Sequence, residues 1–514
     1  MSKSPLFGAL KRVLRLSQIS QDHGIPADEV SEWAAEQRAN EISRREFLGK
    51  AAVAGAGLAL MRMVPSDNMK GDSDAKIAIV GGGLAGLHAA FTLKKLGVNT
   101  GVTIYEASNR TGGRMFTQKL NGNTGTTELG GEFIDSNHTD MRTLAKMFGV
   151  LELPKANDKL IPEVFFMDGK AYSQEDAIRA FQKIREKVAA DSLLGGKAFE
   201  RLDYMSMEAY FETLETEAWF KKAMAVAYVG EYGLDMGDQS AVNFTALVGA
   251  QEPGKLDLFG TSDESIKFLG GNQQICDRLA ELVQDQVQIR LNHALVAIKN
   301  KGKGFVLTFE GETKEVEADI VIMTIPYTVL RNVEGIEELK GMSTKKLNCI
   351  RELGAGKNSK FFLDMNSRIW REQGFQGYLY TNQIHTSWDS YHLQNENAGK
   401  SIYSIFFGGE VGANAAKGGG EAYLDEISKA FPGFKEQYSG YTSQMNWWKH
   451  KWSLGSYICP KPGQYSTLTD YVQTRVGNMY FAGEHTSSEF GGFMNGAAET
   501  GRVAAELVAK RVLG

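Results

Sequence analysis

Cysteine is nearly missing from this chain: Cys276, Cys349 and Cys459 are the three in 514 residues, odd in number, far apart and without metal-ligand spacing. They specify neither a disulfide framework nor a zinc site, and buried free thiols are their expected state. Histidine is sparse too. The eight are dispersed, none has a ligand-like neighbour at useful spacing, and no metal site is expected. No Ser/His/Asp grouping suited to nucleophilic catalysis stands out. Long basic runs are absent after residue 62, and a net charge of −5 with a pI near 6.0 argues against nucleic acid as a partner. A membrane-spanning run is missing as well. The apolar stretch 51–61 rises only ~17 Å as a helix, against a hydrocarbon core of ~30 Å.

Glycine patterning is what the chain does have. Residues 76–80 form a β-type apolar run fit for a buried parallel strand. Gly81, Gly83 and Gly86 then spell G-x-G-x-x-G, and 84–96 follows as a helix closed by Gly97. Gly81 permits the tight turn, and Gly83 lets the backbone approach a pyrophosphate. Gly86 lets the helix lie close to the strand, so that its N–H groups and dipole face the anion. Residues 102–105 read as a second strand ending at Glu106, 20 residues beyond Gly86. A carboxylate there accepts hydrogen bonds from ribose hydroxyls and repels a 2′-phosphate, which disfavours an NADP-type ligand. Strand, glycines, helix, second strand and acid in register imply a dinucleotide site.

Beyond that acid, Arg110, Gly112, Gly113 and Arg114 form R-x-G-G-R, and Glu128-Leu129-Gly130-Gly131 follows. Near the far end, Gly483-Glu484-His485-Thr486 and Gly492-Phe493-Met494-Asn495-Gly496 stand between a strand at 479–482 and an alanine-rich helix at 496–510. In these motifs the chain resembles the flavin-dependent amine oxidase family, which includes monoamine oxidase, polyamine oxidase and L-amino-acid oxidase. The resemblance implies FAD. It sets Arg110, Gly113, Arg114, Gly130, Gly131 and Glu132 along the pyrophosphate and flavin, and Leu295 against the adenine. Gly483 brings backbone close to the ring, Glu484 lies at the ribityl or phosphate region, and the Met494 amide contacts the ring oxygen.

The resemblance also names the groups that carry chemistry. Lys360, in Gly356-Lys357-Asn358-Ser359-Lys360 with Trp370 ten residues on, matches the family lysine that reaches flavin N5 through a water. Its implied use is oxygen activation by a nearby cation, and Lys357 is its rival three residues away. The segment from Trp452 to Tyr457 matches the part that supplies one wall of an aromatic cage, Tyr457, and Phe493 aligns with the other wall. Two such rings make a neutral amine approach with its C–H toward N5. Ser456 stands where mammalian-type monoamine oxidases carry the cysteine bonded to the flavin, so FAD is expected to be non-covalent.

The expected activity is oxidation of a primary or secondary amine to an imine by hydride transfer to flavin N5. Oxygen is reduced to hydrogen peroxide, and the imine hydrolyses to aldehyde and ammonia or amine. Amino-acid oxidases usually place an arginine after the Glu-Leu-Gly segment to grip a carboxylate. Glu132 and Phe133 stand there, which favours an amine over an amino acid. Asp135 falls near an acidic position that polyamine oxidases use for a distal cation, so a diamine or polyamine stays open beside a merely solvated aspartate. The alternatives are an L-amino-acid oxidase, an enzyme like a carotenoid desaturase or protoporphyrinogen oxidase, and a non-catalytic flavin-binding protein. Lys360 and the 452–457 cage count against the desaturase. A small amine and O2 are the expected partners, and the oligomeric state, a homodimer included, stays open.

The expected fold is α/β, a Rossmann-type FAD-binding domain interwoven with an α+β substrate domain. The FAD-binding parts are 76–140, 266–335 and 451–514. The substrate parts are a helical block at 141–265 and a mixed stretch at 336–450. Helices are expected at 139–148 and 173–188, with 202–229 mostly helical in pattern; strands are expected at 286–291, 294–299, 305–309 and 319–324, and a mobile Gly/Ala-rich loop at 408–420. Ahead of these, Ser43-Arg44-Arg45-Glu46-Phe47-Leu48-Gly49-Lys50 matches a bacterial twin-arginine signal. Residues 1–63 are therefore read as signal and leader, 64–75 as a linker, and the destination as the periplasm by way of the export machinery. That route carries folded proteins, which suits an enzyme that takes up FAD first. The long region before the arginines and the lack of a clear A-x-A site leave cleavage open.

Overall fold

Five short strands run parallel in the order Met479–Phe481, Ile320–Met323, Ile77–Val80, Val102–Tyr105 and Gln288–Arg290. The computed structural model that shows them describes residues 75–514, apart from 99–100, 120–124, 261, 395–398 and 416. The twin-arginine stretch and nearly all of the linker lie outside the described residues. Side chains of the central strands alternate between two cores. Ile77, Ile79, Ile320 and Ile322 pack with helices on one face. Ala78, Val80, Val321 and Met323 pack on the other, under the antiparallel sheet Leu295–Lys301, Gly304–Phe309, Val316–Ala318. Burial on both faces is why these strands read as continuous apolar runs.

The helices Leu84–Lys95 and Met494–Leu513 come from opposite ends of the described chain and lie against each other. Two glycines permit it. A Cβ on Gly501 would stand 2.2 Å from the Ala85 carbonyl oxygen, and one on Gly86 would stand 2.0 Å from the Gly81 oxygen. Only hydrogen fits at either place, so the N-terminus of each helix is held at the carboxyl edge of the sheet.

The second unit is a seven-stranded mixed sheet in the order Tyr438–Asn446, Ser359–Met365, Ser401–Phe407, Thr386–Asp389, Phe375–Thr381, Ile161–Met167, Lys170–Tyr172. Helices including Met207–Glu212, Ala218–Tyr232 and Ala241–Val248 cover one face through a core rich in phenyl and phenol rings. Three expectations need correction here. The block 141–265 is not purely helical, since Ile161–Met167 and Lys170–Tyr172 join the sheet; their apolar run had no helical period to mark it. Residues 173–188 form parts of two helices, Gln174–Gln182, opened by a Ser173/Asp176 capping box, and Arg185–Ser192. The segment 408–420 contains the helix Gly409–Ala415, whose small residues fit against the strand Ser359–Met365, with Ser359 Oγ donating to Gly412 O at 2.9 Å. Helix 139–148 is as expected. The three cysteines are free and buried. Among the described residues no helix is long and apolar enough to cross a membrane.

Candidate active site

One cavity of about 500 Å³ opens between the two units. At its dinucleotide end two helices begin, Leu84–Lys95 and Met494–Leu513, and neither has a side-chain cap or an acidic residue in its first turn. Their leading N–H groups are therefore left for an anion. A Cβ on Gly83 would find nothing nearer than the Gly113 Cα at 3.8 Å, so these glycines form an open cradle. Glu106 ends its strand with Oε2 accepting from Gly82 N at 2.6 Å and Oε1 accepting from Ser108 N at 2.8 Å and Ser108 Oγ at 2.7 Å. A carboxylate accepts about four hydrogen bonds, so one direction remains for a ribose hydroxyl. This end fits a dinucleotide.

The last stretch is tied to the first by charge. Arg114 Nη1 donates to Glu484 Oε1 at 2.9 Å and to the Ser456 carbonyl. Glu484 Oε2 also accepts from Gly492 N at 2.8 Å. Burial alone would raise the Glu484 carboxyl, but the Arg114 and His485 charges and these hydrogen bonds hold it below the usual range. Arg110 donates to the Thr111 and Gly113 carbonyls at 3.0 and 2.5 Å and lies over the Phe116 ring at 3.8 Å. Gly81, Gly130, Gly131, Leu295, Gly483 and Met494 line the same cavity. Of the expected site residues, Gly86 alone does not; it sits beneath, where helix meets strand.

Lys360 lines the cavity from the buried strand Ser359–Met365. Its Nζ donates to the Glu128 and Gly130 carbonyls at 3.0 Å each and to Glu132 Oε2 at 3.1 Å. Lys357, its rival in sequence, points elsewhere and pairs with exposed Glu410. Lys267 takes the other Glu132 oxygen at 2.8 Å. Two buried ammonium groups thus share one carboxylate. Burial would raise Glu132, but Lys267 and Lys360 hold it low. Glu128 nearby is pushed by burial up to about 7, against a bond from Asn272 N and with the Glu132 charge adding to the rise. While Glu128 keeps its proton, two cations face one carboxylate at this wall.

The other half of the cavity is aromatic. Tyr457 and Phe493 line it, with Phe133, Phe259, Tyr378, Trp388 and Phe406. The Tyr457 hydroxyl donates to Gly230 O at 3.3 Å, and Phe493 meets the His138 ring edge-on at 4.9 Å. Sequence reasoning missed Lys267, Glu231, Glu264, Tyr378, Trp388 and Phe406, which reach the site from segments with no motif of their own. Asp135, flagged earlier, also lines it, with Glu231 and Glu264.

The family model for flavin containing amine oxidoreductase matches residues 84–509. The chain belongs to this family. Nicotine dehydrogenase of Pseudomonas putida is 26% identical over 499 residues, covering 90% of this chain and 95% of that one. Amine oxidase [flavin-containing] A of Sus scrofa is 25% identical over 460 residues, 84% of each chain. Cyclohexylamine oxidase from Brevibacterium oxydans superposes with a TM-score of 0.73 at 19% identity, covering 85% of this chain and 99% of that chain. As a flavin-containing amine oxidoreductase the protein uses FAD and oxidises amines at a C–N bond.

Proposed function

We propose that this enzyme oxidises a primary or secondary amine with O2 as acceptor, releasing hydrogen peroxide, and holds its FAD without a covalent bond. The observation that carries the reading is one cavity joining two uncapped helix N-termini, a buried cation at Lys360 and an aromatic chamber. Gly81, Gly83, Glu106, Arg110, Gly113 and Arg114 would hold the dinucleotide, with Leu295 at the adenine and Glu132, Gly130, Gly131, Gly483, Glu484 and Met494 nearer the ring. FAD, when bound, supplies the two-electron acceptor. Tyr457 and Phe493 orient the amine and exclude water from its nitrogen. Lys360, fixed by three bonds, offers a preorganised cation to negative charge that develops during oxygen reduction. Ser456 leaves no thiol at the wall where a covalent link would form. Export through the twin-arginine route, resting on Arg44 and Arg45, is part of the same proposal.

A panel of monoamines, diamines and amino acids tests it, followed by flavin bleaching under nitrogen and by oxygen uptake with peroxide release in air. Bleaching and peroxide with amines are expected. Two relatives are named dehydrogenases, so bleaching without oxygen uptake would move the acceptor away from O2. FAD bound yet unbleached by every amine would overturn the reading.

A further inference from the structure

Three carboxylates line the aromatic half of the cavity, and they are not equivalent. Asp135 Oδ1 accepts from Glu264 N at 2.9 Å, and its Oδ2 lies 3.2 Å from His138 Nε2. Glu264 takes the Tyr378 hydroxyl at 3.0 Å and lies 4.0 Å from Lys155 Nζ. Glu231 has neither. Among the described residues its carboxylate has no hydrogen-bond or ion-pair partner. It is the penultimate residue of the helix Ala218–Tyr232, whose last turn holds no basic residue, so it stands at the end where the helix dipole disfavours an anion. Its backbone is fixed beside the cage: the Gly230 carbonyl accepts from Asn358 Nδ2 at 2.6 Å and from the Tyr457 hydroxyl at 3.3 Å. A half-buried acid at the wrong end of a helix, near two other acids, is costly unless a cation arrives.

Resting on the reading as an amine oxidase, we infer that Glu231 receives the ammonium group of the substrate and accepts one of its N–H protons, leaving the nitrogen neutral when its neighbouring C–H is oxidised. The step balances as R–NH₃⁺ plus the Glu231 carboxylate giving R–NH₂ plus the Glu231 carboxylic acid. One proton moves and no electrons do. The surroundings suit the transfer. Burial first, then the Glu264 and Asp135 charges, push the Glu231 carboxyl up to about 8. The phenols of Tyr228, Tyr232, Tyr380 and Tyr457 face it too, each kept neutral by burial. An ordinary glutamate at ~4.3 would hold the proton of an alkylammonium at ~10.4 about once in 10⁶ encounters, and a carboxyl at about 8 holds it on the order of once in 10². The aromatic rings around that position favour the neutral pair further.

The test uses the FAD-loaded full chain, wild type, Glu231→Gln and Glu231→Asp. Tetramethylammonium is the probe: a permanent cation with no proton to give, its binding read from the visible flavin spectrum without turnover. In the wild type its affinity should fall about tenfold per pH unit below about 8. In Glu231→Gln the pH dependence should vanish, and Glu231→Asp should restore it in part. Anaerobic flavin reduction by a primary amine gives the second arm. Glu231→Gln should be at least tenfold slower at pH 7.5 and approach wild type near pH 10.5, where free amine is abundant. A binding curve flat with pH in the wild type would overturn the inference, as would a rate defect of constant size across pH. Should no amine bleach the flavin, the functional reading fails separately, and the tetramethylammonium curve still decides for or against a cation-receiving Glu231.

Discussion

Replacing Lys360 with methionine keeps an unbranched chain one atom shorter and removes the charge. Three contacts go with it: the Glu128 and Gly130 carbonyls at 3.0 Å and Glu132 Oε2 at 3.1 Å. Two buried carbonyls then lack this donor, at about 1–3 kcal/mol each. Glu132 keeps Lys267 at 2.8 Å, so no carboxylate is left without a counter-charge. Folding should therefore weaken by about 3 kcal/mol and survive. The chemical effect is larger and confined to one half-reaction. A unit cation ~5 Å from developing negative charge, at an effective dielectric of ~20, contributes about 3 kcal/mol, a factor on the order of 10² in rate. Amine orientation is assigned to Tyr457 and Phe493, and reduction of the flavin by amine should change by less than about threefold. The assay is double-mixing stopped flow: reduce anaerobically with amine, then mix with oxygenated buffer and follow recovery of flavin absorbance. Flavin content per chain must match wild type for the comparison to count. An unchanged second-order constant for reoxidation would refute the role given to Lys360, and a large loss in the reductive half would show that its charge serves the amine instead.

Glu128 offers a pH signature. Its folded value, about 7, lies above the ordinary 4.5, so its ionised form is disfavoured in the fold and the penalty grows as pH rises through 7. Glu128→Gln should stabilise the protein at pH 9 by up to about 3 kcal/mol and change little at pH 4.5, with equal shifts in thermal melts at both pH values counting against the assignment. Gly501→Ala places a Cβ 2.2 Å from the Ala85 oxygen and should push apart the two helices whose N-termini meet at the cofactor end. A loss of about 1–3 kcal/mol and a lower ratio of flavin to protein absorbance are expected; full flavin occupancy would mean the helix pair can shift freely. Acid precipitation should leave all the flavin in the supernatant, and yellow pellet would contradict a non-covalent site.

The parts of this site that could be read in the sequence are those made by backbone. A strand, a turn at Gly81 and Gly83 and an uncapped helix must lie in consecutive residues, and so must Gly483 to Met494, because the N–H groups that face the ligand belong to those residues themselves. Glu106 was legible for the same reason, being the residue that follows the strand Val102–Tyr105, whose neighbour carries the glycines. Side-chain convergence leaves no such trace. Lys267 meets Glu132 across 135 positions and Lys360 meets it across 228, so neither pair has a spacing that a motif could hold. Lys360 was singled out by resemblance alone, and Lys267, which neutralises the same carboxylate, was not singled out at all. Glu231 is the sharper case. A glutamate near the end of a helix reads as a solvated charge, and sequence cannot show that the segments carrying Asp135, Glu264 and Tyr457 close around it. What sets its chemistry is burial beside two other acids with no described side chain pairing it, a property of the assembled chamber and of no local run of residues. The dinucleotide end is thus written in local pattern, while the amine end is written in how the fold gathers acids from distant segments around one chamber, and substrate choice should respond to substitutions at Glu231 and Glu264 far more than to any change within the glycine motifs.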